Sequence, residues 1–370
     1  MLDISPPTDR AILVAAPRKG TADARRAEEH LEELARLTDT AGAQVVGRLI
    51  QQVRAPDPGS YIGAGKLREL QHMVRDTDAS LVILDEELSP AQGKNLENAL
   101  EVRVMDRAEL ILDIFATRAR SKEAKLEVEL AQLEYLLPRL ARMWVHLSRI
   151  RGGIGLRGPG ETQLETDRRM IRRRISRIKR QLEKVARHRG VLRSGRRAIP
   201  TVALVGYTNA GKSSLLKALT GAETLIEDRL FATLDTKTRE TDLRGGQGSS
   251  IRLIDTVGFI RKLPHDLVAS FEATLEEAAH ADIVLHIIDA AHPDWADQVD
   301  VVDEVLADLD LEGQVVHVFN KMDLVDDTDA LVGGLRTRYD CAVFISAVND
   351  DVDGLREKLR VLTEVRTRLA

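Results

Sequence analysis

Apolar residues in the first part of the chain fall into short runs that alternate with charged, helix-like stretches. Four runs have strand character, namely AILVA at 11–15, QVVGRLI at 44–50, SLVILD at 80–85 and VRVMD at 102–106. Strands separated by helices of this length imply βαβ units, whose strands are parallel. The pattern predicts a small parallel-sheet α/β domain over residues 1–117.

A different pattern follows, in which apolar residues step by four and three positions in turn. One series runs from Leu126 to Leu147, and a second runs from Ile171 to Val185. Such steps place one apolar seam on each helix. We therefore predict a long antiparallel coiled-coil hairpin over residues 118–197.

Two features interrupt this hairpin. Pro138 has no N–H, so we expect it to kink the first helix. Between the helices lies GGIGLRGPGETQLETDRR, whose glycines and proline disfavour a helix. We expect an exposed, non-helical tip centred on 152–165 and no helix as far as Arg169.

From Thr201 onward, strand-like runs alternate with helices again. Six strands with interleaved helices predict a second, doubly wound α/β domain over residues 198–370. The sequence ends directly after the last predicted helix, so no additional C-terminal domain is expected.

Composition narrows the class of protein. The single cysteine, Cys341, and the lack of a signal-like apolar stretch after Met1 favour a reducing, cytoplasmic setting. No apolar run approaches the roughly 18 residues that a membrane-spanning helix needs.

The net charge of −5 hides one basic block. Residues 166–197 contain fourteen Lys or Arg and two acidic residues, an excess of twelve, so the remainder sums to −17. A block this basic on an acidic chain favours a polyanionic partner such as RNA over the alternative, a solvated helix face.

The strongest motif is GYTNAGKS, from Gly206 to Ser213, which fits G-x-x-x-x-G-K-[ST] between an apolar run and a predicted helix. Its glycines let backbone N–H groups surround phosphates at a helix N-terminus. We expect Lys212 to neutralise the β- and γ-phosphates and the Ser213 hydroxyl to bind Mg²⁺.

Two further segments complete a phosphate site. In IDTVG, Asp255 follows an apolar strand and is expected to hold the magnesium shell through water, and the Gly258 N–H is expected to meet the γ-phosphate. LFATLDTKT, residues 230–238, is predicted to be a mobile loop with one threonine on magnesium. Thr233, Thr236 and Thr238 compete for that role.

NKMD, residues 320–323, points to guanine. A carboxylate at Asp323 can accept hydrogen bonds from guanine N1–H and the 2-amino group, which adenine lacks there. We expect Asn320 to brace the loop, Lys321 to lie along the base, and Ser346 with Ala347 to form a loop that recognises guanine O6.

Other signals are weaker. Phe259 follows Gly258 where many GTPases carry a water-orienting glutamine, so hydrolysis is expected to be slow alone. The attacking water would then be aligned by another switch residue or by a docking partner. Asn209 is a candidate for holding a monovalent cation such as K⁺. GAGK, residues 63–66, is read as a turn before a helix; His286 and His317 are read as core residues. The sequence displays no recognisable metal cluster.

These residues together resemble the HflX family of ribosome-associated GTPases over nearly the whole chain. The most specific pieces are the glycine-rich segment above, LFATLD, DTVGFIRKLPHDLV and ILDIFATRA. The resemblance implies GTP and Mg²⁺ binding, association with the large (50S) ribosomal subunit, and splitting or rescue of stalled or idle ribosomes under stress. It also favours Thr233 as the switch threonine.

The expected roles are then complete. Catalysis is expected from Lys212, Thr233 and Gly258, and magnesium from Ser213 and Thr233. The expected nucleotide-binding residues are Gly206, Tyr207, Thr208, Asn209, Ala210, Gly211, Lys212, Ser213, Phe231, Ala232, Thr233, Leu234, Asp235, Asp255, Thr256, Val257, Gly258, Asn320, Lys321, Met322, Asp323, Ser346, Ala347 and Val348.

We expect a monomeric switch protein that meets ribosomal RNA through the hairpin, the glycine-rich tip and the basic helix. The alternative is a structural RNA-binding or ribosome-assembly factor that GTP merely stabilises. A phosphate-transferring kinase has no identifiable acceptor pocket and conflicts with NKMD.

Overall fold

The computed structural model describes residues 8–143, 159–194, 199–221, 230–231, 234, 237–243, 250–263, 272–309, 311–339 and 341–369. The chain divides into two compact units, which are described separately below. The first comprises Met1–Thr117 with Val128–Arg180, and the second comprises Arg118–Glu127 with Gln181–Ala370. The three-part division drawn from the sequence stays a prediction.

The first unit is built on a four-stranded parallel sheet in the order β2-β1-β3-β4, as predicted. Its strands are β1 Arg10–Ala15, β2 Gln44–Ile50, β3 Leu81–Leu84 and β4 Arg103–Asp106. The helices around them are α1 Ala22–Arg25, α2 Ala27–Thr40, α3 Ala64–Asp76, α4 Pro90–Leu100 and α5 Arg107–Arg118. The strands alternate side chains between two faces, and Ile12, Val14, Val82 and Leu84 belong to one buried cluster.

Two long helices follow, α6 Lys122–Met143 and α7 Pro159–Ser194. Helix α6 continues through Pro138. Helix α7 begins at Pro159, so the prediction of non-helical structure is wrong from that residue to Arg169. The physical reason is that proline is tolerated in the first turn of a helix, where its missing N–H would have no partner. The glycine-rich residues before Pro159 lie outside the described residues.

Ion pairs join α6 and α7. Arg174 makes two contacts with Glu129, at 2.6 and 2.7 Å, and Lys179 Nζ lies 2.8 Å from Glu134. The residue numbers of the two pairs rise together, whereas they run in opposite directions along an antiparallel coiled coil. The coiled-coil packing of the hairpin therefore stays a prediction.

The second unit contains a six-stranded sheet in the order β10-β9-β8-β5-β7-β6. Its strands are β5 Thr201–Gly206, β6 Lys237–Asp242, β7 Ser250–Asp255, β8 Ile283–Asp289, β9 Gln314–Asn320 and β10 Val343–Phe344. The helices are α8 Lys212–Thr220, α9 Glu272–Ala279, α10 Trp295–Ala307, α11 Thr328–Arg338 and α12 Asp353–Leu369, with a short 3₁₀ turn at Met322–Leu324.

Strand β6 is the only antiparallel strand among those described in this sheet. Its sequence, KTRETD, is polar and does not predict a strand; pairing with β7 decides it. The loop predicted over residues 230–238 therefore ends before Lys237.

Apolar side chains cover both faces of this sheet, as a doubly wound fold requires. Leu285 and Val318 belong to the cluster on one face, and Ile288 and Phe319 belong to the cluster on the other. Strand β5 is buried between β7 and β8, which places the loop that follows it at the centre of the sheet. None of the described helices is long and apolar enough to cross a membrane.

Candidate nucleotide site

The loop after β5 depends on two glycines. Gly206 has φ +151°, and a Cβ there would lie 2.3 Å from the Ile287 carbonyl oxygen. Gly211 has φ +96°, and a Cβ there would lie 2.2 Å from Asn320 Nδ2. Neither position accepts a side chain, so the backbone turns tightly into helix α8, which starts at Lys212. The free N–H groups and the dipole at such a helix start favour a phosphate group.

Lys212 is folded into this loop. Its Nζ donates to the carbonyl oxygens of Gly206, at 3.0 Å, and Tyr207, at 2.8 Å. The residue is 7% exposed, and burial lowers the pKa of its ammonium group to about 8, although the charge of Asp255 acts in the opposite direction. A phosphate beside this group would raise that pKa again, because its negative charge favours the ammonium form.

Asp255 and Ser213 lie side by side. Asp255 ends β7, next to β5 in the sheet, and is fully buried. The Ser213 hydroxyl donates to Asp255 Oδ2 at 2.8 Å. A hydroxyl and a carboxylate are the hard oxygen donors that Mg²⁺ selects, so the chemistry of this pair fits that ion.

The DTVG segment is attached to the phosphate loop by backbone hydrogen bonds. Thr208 N donates to Phe259 O at 2.7 Å, and Phe259 N donates to Gly206 O at 3.1 Å. Gly258 lies so close that a Cβ there would be 2.9 Å from Lys212 Nζ and from Thr208 Cα. Phe259 itself is 4% exposed, so its side chain packs in the interior.

One side chain joins the phosphate side to the base side. Asn320 ends β9, where its Nδ2 donates to Ala210 O at 2.9 Å and its Oδ1 accepts from Ala347 N at 3.0 Å. A single buried amide therefore positions two loops that are 137 residues apart in sequence, counting from 210 to 347. This geometry matches the bracing role expected of Asn320.

The base side is held by side-chain contacts. Ser346 Oγ donates to Asp323 Oδ1 at 2.6 Å, while Asp323 remains exposed. Lys321 has φ +63°, and its Nζ lies 2.6 Å from Asp289 Oδ2. Asp289 was not among the predicted site residues. It could have been found, because it ends β8 opposite Asn320 on β9, and the carboxyl ends of parallel strands share one edge of the sheet.

The predicted site residues that fall in described segments all lie at this edge or in the loops attached to it, apart from the buried Phe231 and Leu234, whose contact with a nucleotide stays a prediction. Ala232, Thr233 and Asp235 lie outside the described residues. The choice of Thr233 for magnesium likewise stays a prediction.

The fold and the site define a P-loop GTPase. Three family models match in order along the chain: "GTP-binding GTPase N-terminal" over residues 28–116, "GTP-binding GTPase Middle Region" over 118–196 and "50S ribosome-binding GTPase" over 201–321.

Curated relatives and solved structures agree. GTPase HflX of Caldanaerobacter subterraneus subsp. tengcongensis is 52% identical over 88% of this chain and 75% of its own length, and that of Escherichia coli K12 is 46% identical over 91% and 79%. The crystal structure of SsGBP with GDP superposes with a TM-score of 0.54 at 26% identity, covering 97% of this chain and 99% of that one. The chain belongs to the HflX family of GTPases.

Proposed function

We propose that this chain is a GTP-driven switch that binds the large ribosomal subunit and splits or rescues stalled or idle ribosomes in the cytoplasm, particularly under stress. The observation that carries ribosome binding is the match of residues 201–321 to a model described as a 50S ribosome-binding GTPase. The arginine-rich surface of α7 offers the matching electrostatics.

For the nucleotide, we assign the phosphates to the amides of the Gly206–Ser213 loop and to Lys212. The Ser213 hydroxyl and Thr233 bind Mg²⁺ directly, and Asp255 acts through a water. Asn209 is the residue we assign to a monovalent cation such as K⁺. Asp323 binds the guanine edge, and its contact with Ser346 sets the carboxylate orientation.

The switch rests on Gly258. Its backbone lies against Lys212 Nζ, the group that meets the γ-phosphate, so the presence of that phosphate acts directly on the DTVG segment. Phe259 is buried and has no group that can orient water, so an RNA or protein of the ribosome supplies that alignment. Hydrolysis then removes the phosphate and releases the ribosome.

The ribosome contact is assigned to one groove on α7, of about 680 Å³. It is lined by Glu165, Arg168, Arg169, Arg172, Arg173, Ser176, Arg177 and Arg180. Arg174 and Lys179, by contrast, are already paired with glutamates of α6. The arginines of the groove therefore have charge available for phosphates of ribosomal RNA, whose binding releases counterions.

Co-sedimentation with purified 50S subunits tests the switch. We expect more protein in the pellet with a non-hydrolysable GTP analogue than with GDP, and a steep loss of binding as salt rises. Equal binding with both nucleotides would contradict the switch and favour the structural RNA-binding alternative, because the arginine groove needs no nucleotide. Strong stimulation of GTP turnover by ribosomes would exclude that alternative.

Light scattering by 70S ribosomes tests splitting.

Variants of the arginine groove test the ribosome contact. Replacing Arg168 and Arg172 with Gln should weaken co-sedimentation with 50S subunits and reduce its salt dependence. The matched control replaces Arg25 and Arg36, two exposed arginines of the N-terminal sheet domain, and should bind like the unmodified protein. Equal loss in both double variants would count against the groove.

A further inference from the structure

Two histidines face each other on the side of the GTPase sheet that carries α10. His286 of β8 and His317 of β9 are direct partners in the parallel register. Residues two positions further along each strand, Ile288 and Phe319, belong to the cluster that also contains Val299 of α10. Strand alternation therefore puts both imidazoles on that face. Asp303, one turn beyond Val299 on α10, completes the group.

The three side chains are close enough to share one small ligand. One potential ligand atom from each lies within 4.8 Å of the others, and the two imidazole centroids are 5.5 Å apart. His286 Nδ1 is 3.4 Å from Asp303 Oδ1 and has no hydrogen-bond partner of normal geometry among the described residues. His286 is 1% exposed, so a polar nitrogen is buried and directed at the carboxylate.

We propose that His286, His317 and Asp303 bind a divalent transition-metal ion of the Zn²⁺ class, with the fourth position open to water. A tetrahedral Zn²⁺ with ligands at about 2.0–2.2 Å keeps neighbouring ligand atoms about 3.4 Å apart. The His286–Asp303 pair already has that spacing, and the ligand nitrogen of His317 lies within 4.8 Å of both. Two imidazoles and one carboxylate select Zn²⁺, Co²⁺ or Ni²⁺ over Mg²⁺.

The surroundings orient the ligands and limit the affinity. The His317 ring lies 4.5 Å from the Tyr339 ring, centroid to centroid, which restricts its rotation. Asp303 is half exposed, so an ion has a path from solvent. Arg338 acts electrostatically on Asp303 and opposes a cation, so the site is expected to bind more weakly than a closed structural zinc site.

The position of this histidine–aspartate site gives it a structural role. His286 and His317 each lie three residues before the end of their strands, at Asp289 and Asn320. Those two residues hold the loops on the base side of the nucleotide site. A bound ion would join β8, β9 and α10 behind that edge, and we expect it to raise the unfolding temperature of the GTPase domain.

Metal titration of the full chain tests the proposal. The protein is first loaded with GDP and excess Mg²⁺ so that the nucleotide site is filled, then titrated with Zn²⁺ against a chromogenic chelator and with Co²⁺ by visible absorption. We expect one equivalent bound, with a tetrahedral Co²⁺ spectrum. Asp303→Asn and His317→Gln should each weaken binding at least about tenfold.

His280→Gln is the matched control. His280 is another histidine of the same domain that lies near carboxylates, with Nδ1 2.9 Å from Glu312 Oε1. Its substitution by Gln should leave metal binding unchanged. GDP affinity checks the folding of each variant. The proposal would be overturned if the wild type bound the metal no more tightly than Asp303→Asn does. It would also be overturned if His280→Gln lost metal binding.

Discussion

The two sheets of this chain differ at the carboxyl end of their first strands, β1 and β5. After β5, the chain enters a glycine loop and a helix whose N–H groups and Lys212 offer positive charge. After β1, the Ala16 N–H is already bonded to Glu86 Oε2, at 2.8 Å. The same strand–loop–helix topology thus gives a phosphate site in one sheet and an occupied acidic edge in the other, because local chemistry and not fold decides function.

The carboxylates at this edge of the N-terminal sheet are already paired with arginines of the same unit. Arg107 Nη1 lies 2.7 Å from Asp85 Oδ1, and Arg139 Nη2 lies 2.9 Å from Asp106 Oδ2. A phosphate here would have to displace buried carboxylates, which is costly. The prediction that GAGK forms a turn before a helix is wrong for all but Gly63, because α3 begins at Ala64 and includes Lys66. Lys66 Nζ contacts both carboxylate oxygens of Glu69, at 3.0 and 2.9 Å, so its charge is already paired.

The largest expected effect separates two lysines in the first turns of their helices, Lys212 of α8 and Lys66 of α3. Lys212→Ala should weaken GDP and GTP binding by at least about 30-fold, because it removes a buried charge from the phosphate site. Lys66→Ala is the matched control and should change neither affinity. Titration with a fluorescent GDP analogue measures both affinities. Comparable losses in the two variants would contradict the assignment of the phosphates to Lys212 alone.

The next effect concerns the base. Asp323→Asn should lower GDP affinity about 10- to 100-fold and improve xanthosine diphosphate binding, since the amide offers a donor where guanine N1–H also donates. Asp326→Asn, in the same loop and exposed, should leave base preference unchanged. Competition between the two nucleotides is the measurement. Unaltered preference in Asp323→Asn would remove that residue from the guanine contact.

A smaller effect is expected at Gly258. An added Cβ would lie 2.8 Å from Thr208 Cγ2 and 2.9 Å from Lys212 Nζ, so Gly258→Ala should weaken binding of a GTP analogue about tenfold while GDP binding changes less. Gly65→Ala, where a Cβ meets nothing within 4 Å, is the control. An equal loss for GDP and the analogue would separate Gly258 from the γ-phosphate.

The smallest expected effect is the uptake of a proton by Lys212 when the nucleotide binds. Lys212 has a pKa of about 8 in the free protein, and bound phosphates should raise it. Affinity is then complete below pH 8 and falls as pH rises above it, with uptake of about half a proton on binding at pH 8. Calorimetry in two buffers of different ionisation enthalpy measures this uptake. Identical heats in both buffers would contradict it, and Lys66→Ala should retain the uptake.

Some elements could be predicted from the sequence and others could not, for physical reasons. Strands β5 and β9 carry apolar runs beside short motifs, and both were predictable. Strand β6 is polar and exists through its pairing with β7, so local sequence could not reveal it. Helix α7 extends back to Pro159 because proline fits the first turn of a helix. The glycine- and proline-rich composition of this segment alone had predicted a loop.

The sequence by itself determined the guanine-nucleotide class, because glycine positions, a lysine and a carboxylate at fixed spacing admit little other chemistry. Only the tertiary structure decided how those groups meet. Asn320 contacts the loops at Ala210 and Ala347, and Lys321 contacts Asp289, because parallel strands end at one edge. The same register brought His286 and His317 together, which no spacing in the sequence announces.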